Sequence, residues 1–191
     1  MIPKEEIRPL SHVGTAIVAL GMGVLPRWAN LTGAALGMLA GWVVIPRTRV
    51  EAVLRRPGEP WLNGVRTYPL AVALLVLLLP ATLAAAAWTI MAAGDAAASF
   101  VGRHVPAPSL FGHKKGTWSG TPALFVVGSL AGWGAGAFVA ATGGTPLGNP
   151  MNVVLAAGAA ALIDLVPLPI DDNLPLAAAA GVTLAATSGM F

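Results

Sequence analysis

An aspartate sits inside the small apolar run AAGDAAASFVGRHVP, residues 92–106, which then closes on an arginine and a histidine. An ionised carboxylate inside a membrane helix costs a few kcal/mol, so Asp95 calls for a polar cavity or a partner. On a helix, Asp95, Ser99 and Gly102 fall at i, i+4 and i+7, one open polar stripe leading to Arg103. An internal Asp–Arg ion pair that only orients the helix is the alternative reading. A second group stands in ALIDLVPLPIDDNLPLA, where Asp164 ends an apolar run, Pro167 and Pro169 stop the helix, and Asp171, Asp172 and Asn173 precede the next run. Adjacent carboxylates with an amide are hard oxygen ligands, and Mg²⁺ takes one or two protein carboxylates plus substrate phosphates. An Asp or Asn before Leu174 also suits a helix N-cap, which accounts for one of the three residues but not for the doubled acid.

The third group is the loop RHVPAPSLFGHKKGTWSGTPA. Pro106 and Pro108 stiffen it, and Gly112, Gly116 and Gly120 let backbone N–H groups approach an anion. Lys114 and Lys115 add point charges suited to phosphate. A basic turn is also what positive-inside topology produces, and no Walker A pattern occurs in the chain. Acids for a divalent metal, lysines and glycines for phosphate and an apolar body for a lipid tail together point to phosphoryl or nucleotidyl transfer to a lipid head group. In a phosphoryl transfer the attacking hydroxyl gives up its proton to a carboxylate, for which Asp164 and Asp171 are the candidates.

The elements that must position these residues follow from composition. Of 191 residues, 56% are hydrophobic and 10% charged, against roughly 25% charged in a soluble domain. The fold expected is all-α, a polytopic transmembrane bundle forming a single domain over residues 1–191. About 20 apolar residues cross the hydrocarbon core, and seven candidate spans stand at approximately 10–26, 30–46, 67–80, 82–102, 121–142, 151–167 and 174–190, with a break expected at Pro80. Glu5, Glu6 and Pro26-Arg27 argue against reading the first as a cleavable signal. Seven spans put every Lys and Arg except Arg27 on one side, which the positive-inside rule makes the cytoplasm. The N-terminus, Asp95 and the 171–173 turn fall on that same side, in what reads as a bacterial or archaeal cytoplasmic membrane. Gly33, Gly37 and Gly41, like Gly128, Gly132 and Gly136, recur every four residues and give smooth faces for helix contact, within the chain or between two copies. The absence of cysteine excludes disulfides and Cys-ligated metals. The pI near 10 reads as loop charge toward an anionic membrane, not nucleic-acid binding. The tryptophans read mostly as interface anchors or packing, Trp118 being the one placed where it could stack on a base.

With these residues in view, the chain resembles the CTP-dependent lipid-alcohol kinases (dolichol, phytol and farnesol kinases and the yeast-type diacylglycerol kinase), related more distantly to phosphatidate cytidylyltransferase. The resemblance rests on GDAAASFVGR at 94–103, KKGTWSGT at 114–121, DDNLPLA at 171–177 and EEIRPLSHVGTA at 5–16, four stretches in the family's order over most of the chain. It implies a multi-helix membrane enzyme that uses CTP (or ATP) and Mg²⁺ to phosphorylate a prenol or diacylglycerol hydroxyl. By the same resemblance Asp95 and Asp172 would bind metal, with Asp171 beside them. Arg103, Lys114 and Lys115 would hold the nucleotide phosphates, with His113, Gly116, Thr117 and Gly120 in the same loop. Asn173 would support the site, and Glu6, Arg8 and His12 would complete it from the first span. The chain departs from the family where Gly116 replaces a lysine, Ser119 a glutamate, Pro9 a basic residue and Asp164 the usual Glu. A cytidylyltransferase making a CDP-lipid is the alternative activity. A small transporter or scaffold using buried acids is the non-enzymatic one, and it would place charges nearer mid-span.

Overall fold

The computed structural model describes residues 4–55, 61–110 and 116–190. Every named element among them is helical: α1 Lys4–Ala16, α2 Arg27–Leu39, α3 Val50–Leu54, α4 Gly64–Leu78, α5 Ala81–His104, α6 Gly120–Ala141, α7 Pro150–Asp164 and α8 Asn173–Thr187. Three helical stretches are long and apolar enough to cross a membrane: Arg27–Arg47, Ala81–His104 and Gly120–Ala141. The apolar helices α4, α7 and α8 are shorter.

Proline and glycine set the boundaries. Pro80 breaks the long apolar run as its missing N–H and fixed φ require: Leu79 before it is extended, at φ −112° and ψ 154°, and α5 starts at Ala81. The segment expected at 10–26 is not one continuous α-helix, for α1 tightens after Ala16 into a 3₁₀ stretch over Ile17–Gly23. There Gly23 lies so close to the Val139 carbonyl that a Cβ would approach it to 2.5 Å. α2 runs on through a π turn at Ala40–Val44 and a 3₁₀ turn at Ile45–Arg47, where Pro46 ends it.

α5 is the central element, with Ala84–Ala87, Ile90, Met91 and Ala92 fully buried among α1, α4, α6, α7 and α8. Its small side chains allow the close backbone approach that holds helices together where lipid removes the hydrophobic drive between them. Large apolar side chains such as Leu36, Leu39, Leu130, Trp133 and Leu162 face outward, the pattern of a body solvated by hydrocarbon.

The glycine stripes divide in use. Gly128, Gly132 and Gly136 pack on Ile90, Val153, Leu147 and Ala86, as expected, so that face is consumed within the chain. Gly41 is pressed against Pro69 and the Val65 carbonyl, the very carbonyl that loses its helical donor because Pro69 has no N–H. Gly33 and Gly37 depart from the expectation. A Cβ at either meets nothing within 4 Å, because both line a cavity instead of a helix contact. Four-residue spacing identifies a shared face but not what that face looks upon.

Two ends of the bundle are distinct. At one, Arg27 donates to the Leu77 carbonyl at 2.9 Å, Thr82 to Thr145 at 2.6 Å and Asn152 to Thr187 at 3.2 Å. The start of α4 and the ends of α5 and α7 lie at the other, with the turn into α8, and the acids gather there.

Candidate functional site

Arg8 on α1 is the hub of the acid end. Its Nη2 donates to Asp171 Oδ2 at 2.6 Å, and the two side chains are 12% and 10% exposed. The guanidinium lies over the backbone at Gly64, where any Cβ would collide with it. Asn63 opens α4 by accepting from the Val65 N–H at 3.1 Å, which brings Gly64 and Thr67 to face the ion pair. The other Asp171 oxygen, Oδ1, accepts from the Thr67 hydroxyl at 2.8 Å, from the Asn173 backbone N–H at 3.2 Å and from the Asn173 side-chain amide. Burial works to raise the Asp171 pKa, but the Arg8 charge and the Thr67, Arg8 and Asn173 hydrogen bonds outweigh it and hold the carboxyl below its ordinary range.

These bonds separate the doubled acid into two roles. Asp171 caps the first turn of α8 and anchors Arg8, so both its oxygens are committed. In this arrangement Asp171 positions Arg8 and the start of α8. Asp172 is the N-cap residue by backbone but makes no side-chain cap bond, so the doubled acid is not explained by capping twice.

Asp95, on α5, is partly exposed at 23%, and its Oδ2 stands 4.0 Å from His12 Nδ1. Arg103, eight residues further along α5, is separated from Asp95 by about 12 Å of helix rise, so the arginine whose charge reaches Asp95 is Arg8. Asp164, Asp172 and Asp171 add negative charge to the surroundings of Asp95, and Arg8 adds positive charge. α1, α5, the end of α7 and the turn into α8 therefore bring Arg8, His12, Asp95, Asp164, Asp171 and Asp172 into one electrostatic neighbourhood. His12 stacks on Tyr68 with ring centroids 4.1 Å apart and 18° between planes. Tyr68 in turn donates to the His12 carbonyl at 3.0 Å and accepts from the Trp88 indole at 2.7 Å. Among the described residues no group of three or more His, Asp or Glu is arranged to hold a metal ion. Two carboxylates completed by phosphate oxygens are a smaller ligand set that Mg²⁺ accepts.

His113, Lys114 and Lys115 lie outside the described residues, as do Gly112 and the Glu6 side chain. What flanks them is a closed turn: Ser109 pairs with Thr117, the Leu110 N–H donates to Gly116 O at 3.1 Å and the Trp118 N–H to Pro108 O at 3.1 Å. Thr117 Oγ1 accepts from the Gly120 N–H at 2.9 Å, and Gly120 sits against the Ala98 carbonyl of α5. Thr117 and Gly120 thus serve the turn, which corrects the expectation that the Gly120 N–H meets an anion. The Asp95–Ser99–Gly102 stripe ends under this turn, Gly102 facing Thr117, while Arg103 is exposed at the helix end. Gly116 has φ +68°, and a Cβ there would collide with Leu165. Gly116→Ala should therefore cost about 1–2 kcal/mol from the left-handed backbone alone, lowering the melting temperature by roughly 3–6 °C. An unchanged thermal melt would refute that geometry.

Sequence reasoning missed Asn63, Gly64, Thr67, Tyr68 and the bonding role of Trp88. The signal was present in WLNGVRTYPLA, where an N-cap asparagine and a polar cluster open an otherwise apolar run. Arg66, counted there as a loop charge, is instead buried, 3.3 Å from Glu51 and stacked over Trp61.

Comparison of the chain with protein families, with curated proteins and with solved structures finds no match.

Proposed function

We propose that this chain is an integral membrane phosphotransferase that moves the γ-phosphate of a nucleoside triphosphate, CTP by the family resemblance, onto the hydroxyl of a lipid alcohol. The single observation that carries the reading is the gathering of Asp164, Asp172 and Arg8 around Asp95, whose neighbour His12 lines an apolar cavity together with Arg8. In this reading the seven apolar stretches are seven spans, with the N-terminus and the acid end at the cytoplasmic face, where nucleotide is found.

Asp95 and Asp172 would hold Mg²⁺, which when bound offsets charge on the triphosphate. The lipid hydroxyl oxygen attacks the γ-phosphorus, the bond to the β-phosphate bridging oxygen breaks and nucleoside diphosphate leaves. The hydroxyl proton passes to Asp164, the remaining candidate base once both Asp171 oxygens are committed. Arg8 and Asp171 position this acid end from α1, and Lys114, Lys115 and Arg103 supply positive charge for the phosphates.

Purified protein in detergent, given Mg²⁺, γ-labelled CTP or ATP and a panel of prenols and diacylglycerol, should transfer label to lipid. Pyrophosphate release with phosphatidate and no label transfer would overturn the kinase reading in favour of a cytidylyltransferase. Neither product would overturn both.

A further inference from the structure

Trp88 and Asp95 fall at i and i+7 on α5, about two turns apart on one side of the helix. On that side Trp88 reaches α4 and Asp95 reaches α1. The Trp88 indole N–H donates to the Tyr68 hydroxyl at 2.7 Å, the Tyr68 hydroxyl donates to the His12 carbonyl at 3.0 Å, and His12 Nδ1 stands 4.0 Å from Asp95 Oδ2. These contacts close a circuit that leaves α5, passes through α4 and α1, and returns to α5.

The direction of each bond is forced. An indole N–H can only donate and a carbonyl oxygen can only accept, so the tyrosine oxygen takes the tryptophan proton and sends its own to His12. Thr15 Oγ1 closes around the same oxygen at 2.9 Å. With Trp88, Thr15 and the His12 carbonyl about it, and 8% of the residue exposed, the phenol has no direction left for a substrate. Its ring adds a second constraint, for the His12 imidazole lies stacked on it. One residue therefore fixes His12 twice, the backbone by a hydrogen bond and the ring by stacking. The far end of the circuit is Asp95, and α5 carries both that end and the Trp88 anchor, so the His12–Asp95 distance follows from how Trp88 holds Tyr68. His12, Tyr68 and Trp88 all line the cavity between α1, α2 and α4, and His12 is the contact between that lining and Asp95. Neither Tyr68 nor Trp88 lies in the four stretches that carry the family resemblance.

We infer that Tyr68 and Trp88 are positioning residues that set the His12–Asp95 distance, and that phosphate transfer depends on that distance being held. The demand on transfer rests on the kinase reading; the circuit itself does not. Groups one step outside a metal site that orient its ligands typically change activity by about 10–100-fold, and a misplacement of about 1 Å reaches a similar scale.

The test uses the full chain in nanodiscs. With isotope-labelled histidine nitrogen and aspartate carbon, solid-state NMR should show a His12–Asp95 dipolar coupling, identified by its loss in Asp95→Asn. Tyr68→Phe keeps the stacked ring and removes only the hydroxyl. It should weaken that coupling and lower kcat for phosphate transfer by about 10–100-fold, with KM for the lipid little changed because the ring still lines the cavity. Trp88→Phe cuts the same circuit at its anchor and should weaken the coupling too, which keeps the test open if Tyr68→Phe does not fold. Ile90→Val is the control for stability alone. Ile90 is buried on α5 against Gly128 and Gly132, outside the circuit, so its truncation should lower the melting temperature and leave kcat at the wild-type value. A coupling unchanged in both Tyr68→Phe and Trp88→Phe would overturn the circuit. A weakened coupling with wild-type kcat, or an equal fall of kcat in Ile90→Val, would overturn its part in transfer and leave the kinase reading standing. No transfer by wild type to any lipid would sink the kinase reading, and the coupling alone would then decide whether Tyr68 and Trp88 hold His12 at Asp95.

Discussion

Asp95→Asn should abolish phosphate transfer, lowering kcat/KM by on the order of 10³-fold or more, the scale seen when a group that stabilises transition-state charge is lost. The substitution is nearly isosteric and replaces a costly charge within a span by a neutral amide. Among the described residues Asp95 makes no hydrogen bond of the kind that holds Asp171, and its partner His12 stands 4.0 Å away, so the fold should survive. The melting temperature is then expected to stay level or rise. A second readout separates lost metal from lost structure. Mg²⁺ with CTP should raise the melting temperature of wild type by mass action, and that shift should vanish in Asp95→Asn and in Asp172→Asn. Activity persisting in both variants would remove the metal assignment. A collapsed melt in Asp95→Asn would assign this carboxylate to structure.

How far the site could be read from sequence depended on whether a residue's task is local or tertiary. Asp95 stood out because a carboxylate among alanines violates the local composition, and Asp171, Asp172 and Asn173 because they follow a proline stop. The break at Pro80 was legible for the same reason, a backbone constraint carried by one residue. The division of labour between Asp171 and Asp172 was not, since it depends on Arg8 arriving from 163 positions away and on Thr67 arriving from another helix. Gly33, Gly37 and Gly41 share one spacing yet have different uses, because Gly41 meets Pro69 while the other two face empty space. The same limit hid Tyr68, and Trp88 among tryptophans that read as anchors or packing, when their polar atoms were tying α1 to α4 and α5.

The second large effect should come from the Arg8–Asp171 pair, and there stability, not chemistry, is the first readout. Both side chains are nearly buried, so Arg8→Ala leaves a carboxylate without its counter-charge in a low-dielectric place. Breaking such a pair costs about 3 kcal/mol or more, or roughly 6–12 °C of melting temperature for a chain of this size. The pH dependence fixes the cause. In wild type the folded-state pKa of Asp171 lies below its unfolded value, so the pair's stabilisation is complete above about pH 4 and is lost as pH falls through the depressed value. With Arg8 gone, burial is the largest influence left on that carboxyl and acts to raise its pKa. Arg8→Ala should therefore gain stability as the pH is lowered from neutrality toward the carboxylate range, over which wild type stays level. Arg8→Met with Asp171→Leu, which removes both charges, should recover most of the loss, because apolar replacements of a buried pair are often neutral or stabilising. Thermal melts of the three proteins between about pH 4 and pH 8 decide it. Parallel curves for wild type and Arg8→Ala would show that Asp171 is not held by Arg8, and would take with them the anchor that joins α1 to the acid site.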